Sequence, residues 1–287
     1  MLRIAVPNKG SLSEPAAEML REAGYRQRGD MRELVLQDPD NDTEFFFLRP
    51  RDIATYVGSG RLDVGITGRD LLLDSGAEAD EVLELGFARS TFRFAAMAGT
   101  ARTEADLGGL RIATSYPGLV QRHLQQRGVQ PGKVIRLDGA VETAVRLGVA
   151  DVIADVVETG TTLRQAGLEV FGDPILVSGA VLVRRSGSAG ADPGVDAAVD
   201  QLVRRLRGVI VARTYVMMDY DVLAELVDAA CALTPGIESP TVSPLHREGW
   251  VAVRAMVPRR DTNPVMDALW ELGARGILVT DIHACRL

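Results

Sequence analysis

Through the first two-thirds of the chain, short β-branched or aromatic runs alternate with stretches whose apolar residues recur every three or four positions. The runs predict strands over 3–6, 44–48, 64–67, 92–98, 111–113, 134–136, 152–154 and 176–183. The periodic stretches predict helices over 13–23, 52–58, 119–127 and 140–147. Such alternation implies an α/β fold with parallel sheets covered by helices. Ligands in such folds gather beyond the carboxyl ends of strands.

A Gly-, Ser- and Ala-rich stretch over 184–194 reads as an exposed loop, and a helix follows with Val195, Val199, Leu202, Val203 and Leu206 on one face. From about Thr214 the pattern changes. Strands are predicted over 215–220, 238–243, 250–257 and 276–284, with helices over 222–232 and 263–272. Pro264 falls in a first turn, where it is tolerated. This β-α-β-β-α-β order is that of a ferredoxin-like domain.

With 287 residues, 46% apolar and 25% charged, the chain has room for two or three soluble domains. A net charge of −7 argues against a general nucleic-acid binder, so an anionic ligand must be met by local arginines and backbone amides. Cys231 and Cys285 make no disulfide framework, and His123, His246 and His283 have no metal-ligand spacing. The N-terminus lacks the pattern of a signal peptide, and no apolar run is long enough to span a membrane. A cytoplasmic protein is expected.

Five polar loops directly follow predicted strands, which suggests one shared cleft. The most informative is Asp155-Val156-Val157-Glu158-Thr159-Gly160-Thr161-Thr162. A glycine among hydroxyls at a strand-to-helix junction points N–H and Oγ donors at one spot, which suits a phosphate monoester. The acids before it suit loop order, ribose hydroxyls or Mg²⁺ near a pyrophosphate. Together they form what a 5-phosphoribosyl-1-pyrophosphate (PRPP) site needs. The competing reading is a helix capped by Thr159 with Glu158 beside its dipole.

The other loops are weaker signals. Lys9-Gly10-Ser11 offers a cation and close backbone approach, or a helix-capping serine. Arg49 and Arg51 straddle Pro50 and suit phosphate, with an ion pair to Asp52 or Asp63 as the alternative. In Thr67-Gly68-Arg69-Asp70, the acid could hold a base or ribose edge, or cap a helix from Leu71. Tyr116-Pro117 could stack on a purine, and Glu142 stands near a helix start.

Assembled in order, Val6-Pro7-Asn8-Lys9-Gly10, the 47–52, 63–70, 111–117 and 138–142 segments, the Thr-Gly-Thr-Thr loop and Thr234-Pro235-Gly236-Ile237-Glu238-Ser239-Pro240-Thr241 resemble the ATP phosphoribosyltransferase family over essentially the whole chain. The third domain makes it similar to the long, self-regulated form. The resemblance implies a two-lobed, periplasmic-binding-protein-like catalytic core plus a C-terminal ferredoxin-like (ACT-like) regulatory domain. Lobe I would span 1–90 completed by 178–212, lobe II 91–177, and the regulatory domain 213–287.

The same resemblance implies transfer of the phosphoribosyl group from PRPP to ATP in histidine biosynthesis, with Mg²⁺ held mainly by the pyrophosphate. Thr159, Gly160, Thr161 and Thr162 would take the 5′-phosphate and Asp155 the ribose or the order of the loop; Glu158 would complete the PRPP site, although many members of the family carry a small residue there. Lys9, Gly10, Ser11, Arg49, Arg51, Gly68, Asp70 and Tyr116 would serve ATP, with Asp155, Arg49 and Lys9 nearest the chemistry. L-histidine would inhibit allosterically through Asp221, Ser239, Thr241 and Gly276. Homo-oligomers from dimer to hexamer are implied, with no separate regulatory subunit, nucleic acid or membrane. Two rivals stand beside this: a two-lobed binding or sensing module without catalysis, and a phosphoribosyltransferase acting on another base.

Overall fold

The computed structural model describes residues 1–30, 32–100 and 103–286. In chain order, the elements up to the first lobe crossover are β1 (Leu2–Pro7), α1 (Ser13–Glu22), β2 (Val35–Asp38), β3 (Thr43–Leu48), α2 (Pro50–Gly58), β4 (Val64–Gly68), α3 (Arg69–Ser75) and β5 (Ala79–Glu84). Then come β6 (Ser90–Met97), β7 (Arg111–Thr114), α4 (Pro117–Gln126), β8 (Lys133–Arg136), α5 (Thr143–Arg146), β9 (Val152–Val157), α6 (Thr161–Gln165) and β10 (Leu168–Ser178). The chain continues through β11 (Ala180–Arg185), α7 (Pro193–Thr214), β12 (Tyr215–Leu223), α8 (Val227–Leu233), β13 (Thr241–Pro244), β14 (Trp250–Pro258), α9 (Thr262–Leu272) and β15 (Arg275–Asp281).

One compact unit comprises residues 1–21 and 25–200, and it holds two sheets. The first runs β2-β3-β1-β4-β11-β5, with β1 parallel to β3 and β4. The second runs β10-β6-β9-β7-β8, with β7 parallel to β8 and β9. Buried-strand sequences explain the centres: Ile4, Ala5 and Val6 in β1, and Val152, Ile153 and Ala154 in β9, are all buried. The helices bury one stripe each, as Ile53, Ala54 and Val57 of α2 do. The chain passes between the sheets twice, over 85–89 and at Gly179. Backbone bonds tie the two passages together, from Leu85 N–H to Ala180 O (2.9 Å) and from Ala180 N–H to Phe87 O (3.0 Å).

Several sequence expectations change here. The apolar run 176–183 is two strands in different sheets, broken at Gly179, because hydrophobicity alone does not say which sheet a strand joins. Edge strands β2 and β5 were not foreseen, since their alternation is half polar. The helix expected over 140–147 shrinks to one turn.

The second compact unit comprises residues 22–24 and 201–287. Its sheet, β13-β14-β12-β15, has the strand order of the ferredoxin-like fold. Val216, Met218, Tyr220 and Val222 alternate inward along β12, with Val253, Val257 and Leu269 in the same core. This period of two carries β12 to Leu223, so no helix starts at Val222 and Asp221 is a strand residue rather than a cap.

Candidate active site

The loops after β1, β3 and β4 lie at the carboxyl ends of the first sheet, and those after β7, β8 and β9 at the carboxyl ends of the second. Lys9, Gly10, Ser11, Gly68, Asp70 and Tyr116 line one cavity of about 200 Å³, with Glu158 and Ser178. Residues 60 and more apart in sequence thus meet. Glu158 also lines a neighbouring cavity of about 460 Å³, together with Thr159, Gly160, Arg93 and Arg164.

Asp70 is 7% exposed in the first turn of α3. It does not cap that helix; its Oδ1 accepts from Ser178 Oγ at 2.9 Å, while Ser178 Oγ accepts from Asp70 N–H at 3.0 Å. A Cβ on Gly68 would stand 2.3 Å from Asp70 Oδ1, so glycine is required for this placement. The Tyr116 phenol is pushed far above its ordinary value, first by burial and then by the negative charge of the Asp70 carboxylate. Tyr116 packs edge-on against Phe92 at 5.1 Å, and the Arg51 guanidinium lies 4.9 Å over its ring.

Arg51 pairs with Asp74 at 2.9 Å, not with Asp52 or Asp63; Asp63 binds Arg3 instead. Asp74 also accepts from Leu119 N–H at 3.1 Å, placing an anion at the start of α4. By contrast, Lys9 and Arg49 are exposed and have no side-chain hydrogen bond or ion pair among the described residues. Two cations therefore remain available to an anionic ligand.

Strand β9 runs on to Val157, which makes Asp155 a strand residue and leaves Glu158 as the first loop residue. Asp155 Oδ1 accepts from Val156 N–H at 2.8 Å. Burial dominates its titration and lifts the carboxyl from 3.8 to about 6, with Glu142 and Asp70 adding repulsion and Arg51 relieving part of it. Gly160, at φ 70°, is the N-cap residue of α6, so Thr159 does not cap that helix. Thr159 Oγ1 and Thr161 Oγ1 lie 3.1 Å apart, and Arg164 reaches Thr159 O at 3.2 Å. Thr162 sits in the first turn of α6.

In the second unit, Asp221 and Gly276 are neighbours: a Cβ on Gly276 would stand 3.4 Å from Asp221 Oδ2. Thr241 pairs with Arg254, which pairs with Asp219, so Thr241 lies two strands across the sheet and two residues along it from Asp221. Ser239 precedes β13 and donates to Pro240 O at 3.3 Å. Sequence reasoning missed Ser178, Asp74, Arg93 and Arg164. Ser178, Asp74 and Arg93 acquire their partners through the tertiary fold, whereas Arg164 binds Thr159 and Thr161 close by in the chain but belongs to no motif of its own.

The fold defines a two-lobed α/β protein with polar cavities at the strand ends, followed by a ferredoxin-like domain. Family models match twice: "ATP phosphoribosyltransferase" over residues 49–208 and "HisG, C-terminal domain" over residues 212–284. ATP phosphoribosyltransferases of Streptomyces avermitilis and Paenarthrobacter aurescens are each 67% identical over 287 residues, covering 100% of both chains. A chain in the structure of the ATP phosphoribosyl transferase (HisG:HisZ) complex of Thermotoga maritima superposes with a TM-score of 0.61 at 29% identity, covering 72% of this chain and 99% of that one. The chain belongs to the ATP phosphoribosyltransferase family.

Proposed function

We propose that this chain joins N1 of the adenine of ATP to C1 of the PRPP ribose, giving N1-(5-phosphoribosyl)-ATP and pyrophosphate, the first step of L-histidine biosynthesis. Supporting this most directly is the shared lining of the two cavities, where Glu158 adjoins the Lys9–Asp70–Tyr116 group on one side and Thr159–Gly160 on the other. A nucleotide and a phosphorylated sugar have adjacent places there.

Adenine N1 is a neutral nucleophile, so its lone pair forms the new bond without a strong base. The C1–O bond to pyrophosphate breaks, and its electron pair leaves with the pyrophosphate. Catalysis then requires in-line positioning and stabilisation of charge. Thr159, Gly160, Thr161 and Thr162 hold the 5′-phosphate. Asp155 faces the ribose, where an anion stabilises the developing positive charge at C1. Lys9 and Arg49 take phosphates of ATP or the departing pyrophosphate, with Gly10 and Ser11 allowing close backbone approach. Arg51, committed to Asp74, holds Tyr116 in place, and Tyr116 and Asp70 face the nucleotide with Gly68 beneath them.

Mg²⁺ belongs to the same proposal. Among the described residues no group of three or more His, Cys, Asp or Glu is gathered to hold an ion. Asp155 and Glu158 would thus assist an ion held mainly by pyrophosphate oxygens, and the ion neutralises charge on the leaving group.

The second unit would bind L-histidine through Asp221, Ser239, Thr241 and Gly276 and act on the cleft by favouring one global state. Dimers assembling into hexamers and a cytoplasmic location complete the reading; no described helix is long and apolar enough to cross a membrane. The ferredoxin-like domain at the chain's own C-terminus favours regulation without a separate subunit. Incubation with ATP, PRPP and Mg²⁺ should release pyrophosphate with consumption of both substrates. Release only when another base replaces ATP, or ligand binding with no release, overturns the assignment.

A further inference from the structure

Asp70 is a buried carboxylate for which no cation serves as ion-pair partner among the described residues. Arg51 is taken by Asp74, and Arg69 by Glu81 (2.7 Å) and Glu84 (3.3 Å). A buried anion without a cation is costly unless hydrogen bonds hold it. Ser178 Oγ does so, donating to Asp70 Oδ1 at 2.9 Å. Ser178, 3% exposed, contacts Asp70 twice, accepting from its backbone N–H and donating to its Oδ1. The pair closes a ring that fixes both the start of α3 and the carboxylate rotamer. Gly68 leaves the only space in which that rotamer fits, since a Cβ there would overlap Oδ1.

Ser178 is the last residue of β10, and Ala180 opens β11 in the other sheet beside Gly68. The hydroxyl therefore sits at the point where the chain leaves one lobe for the other.

We propose that Ser178 is a positioning residue for nucleotide binding: it holds the Asp70 carboxylate toward the cavity, in reach of an N–H or O–H donor on the bound nucleotide. The proposal rests on the reading that Asp70 serves ATP rather than PRPP. Ser178 itself lines the cavity but acts through Asp70.

The test is steady-state kinetics on the full chain for Ser178→Ala, Asp70→Ala and the double variant. A hydrogen bond to a charged group is worth enough to raise KM for ATP roughly tenfold in Ser178→Ala, with KM for PRPP little changed. In the Asp70→Ala background the serine has nothing left to hold, so Ser178→Ala should add no further change. Independent, multiplying effects of the two substitutions overturn the proposal, as does a wild-type KM for ATP in Ser178→Ala when Asp70→Ala raises it. An Asp70→Ala variant with unchanged KM for ATP instead removes the nucleotide reading of Asp70, and the proposal with it. Circular dichroism accompanies each variant. Should Ser178→Ala not fold, Ser178→Cys keeps the volume, weakens the donor and carries the same comparison, with its own cycle against Asp70→Ala.

Discussion

Asp74 of α3 binds the Arg51 guanidinium at 2.9 Å, and the same carboxylate accepts from the Leu119 N–H at the start of α4. One acid thus aligns two elements around Tyr116, which precedes α4 and lies under Arg51. Asp74 is 10% exposed, whereas Asp52, the neighbour that sequence proximity would favour, faces solvent.

Removing Asp74 leaves the Leu119 N–H at a helix start without its acceptor and a half-buried guanidinium unpaired. Asp74→Ala should cost about 1–3 kcal/mol in urea unfolding, and Asp52→Asn about 1 kcal/mol or less. Comparable losses in the two variants would mean that the Asp74 contacts contribute little.

The raised Asp155 titration makes stability depend on pH in a definite direction. A carboxyl whose folded-state value lies above its unfolded one stabilises the fold while protonated. That contribution is lost as pH rises from 3.8 through about 6. Asn mimics the protonated form, so ligand-free Asp155→Asn should be more stable than wild type above about pH 7, by at most about 3 kcal/mol, and the advantage should vanish at about pH 4. Melting curves across this range decide it. A pH-independent difference would place the cost of Asp155 in packing rather than ionisation.

Thr159 and Thr161 bring their hydroxyls within 3.1 Å of each other without ligand. Replacing both with Ala should weaken PRPP binding by roughly tenfold to a hundredfold, measured calorimetrically, while ATP affinity holds. Wild-type PRPP affinity in a folded double variant would place the 5′-phosphate elsewhere.

The proposed histidine site can be tested at the contact between Asp221 and Gly276. Asp221→Ala should abolish the heat of histidine binding, and Gly276→Ala should weaken it, because the added Cβ comes within 3.4 Å of the carboxylate at a backbone φ of 61°. The activity without histidine should change little in either. Histidine binding at wild-type affinity in Asp221→Ala would move the regulatory site to other residues.

Periodicity carried the sequence far. The inward alternation of β12 and the stripe of α2 are local properties of side chains on a fixed backbone repeat, so they are written in residue order. The same holds for the Thr-Gly-Thr-Thr turn, whose glycine lies at φ 70° where other residues are strained. Even so, local reading set the end of β12 too early and gave the run 176–183 to one strand, because the choice between continuing a strand, ending it and changing sheets depends on what packs against it.

Partner choice was decided by the tertiary structure alone. Arg51 had acids nearby in sequence and took Asp74; Asp70 looked like a helix cap and was instead held by Ser178, 108 residues away. Asp155 is an ordinary carboxylate in the sequence, and burial beside Glu142 and Asp70 raises it to about 6. Hydrogen bonds and desolvation act over a few ångströms in space, and no spacing along the chain encodes those distances. The sequence by itself determined most of the elements and the family; the packing of two sheets around the shared loops decided which charges are paired, which are free and which proton is held.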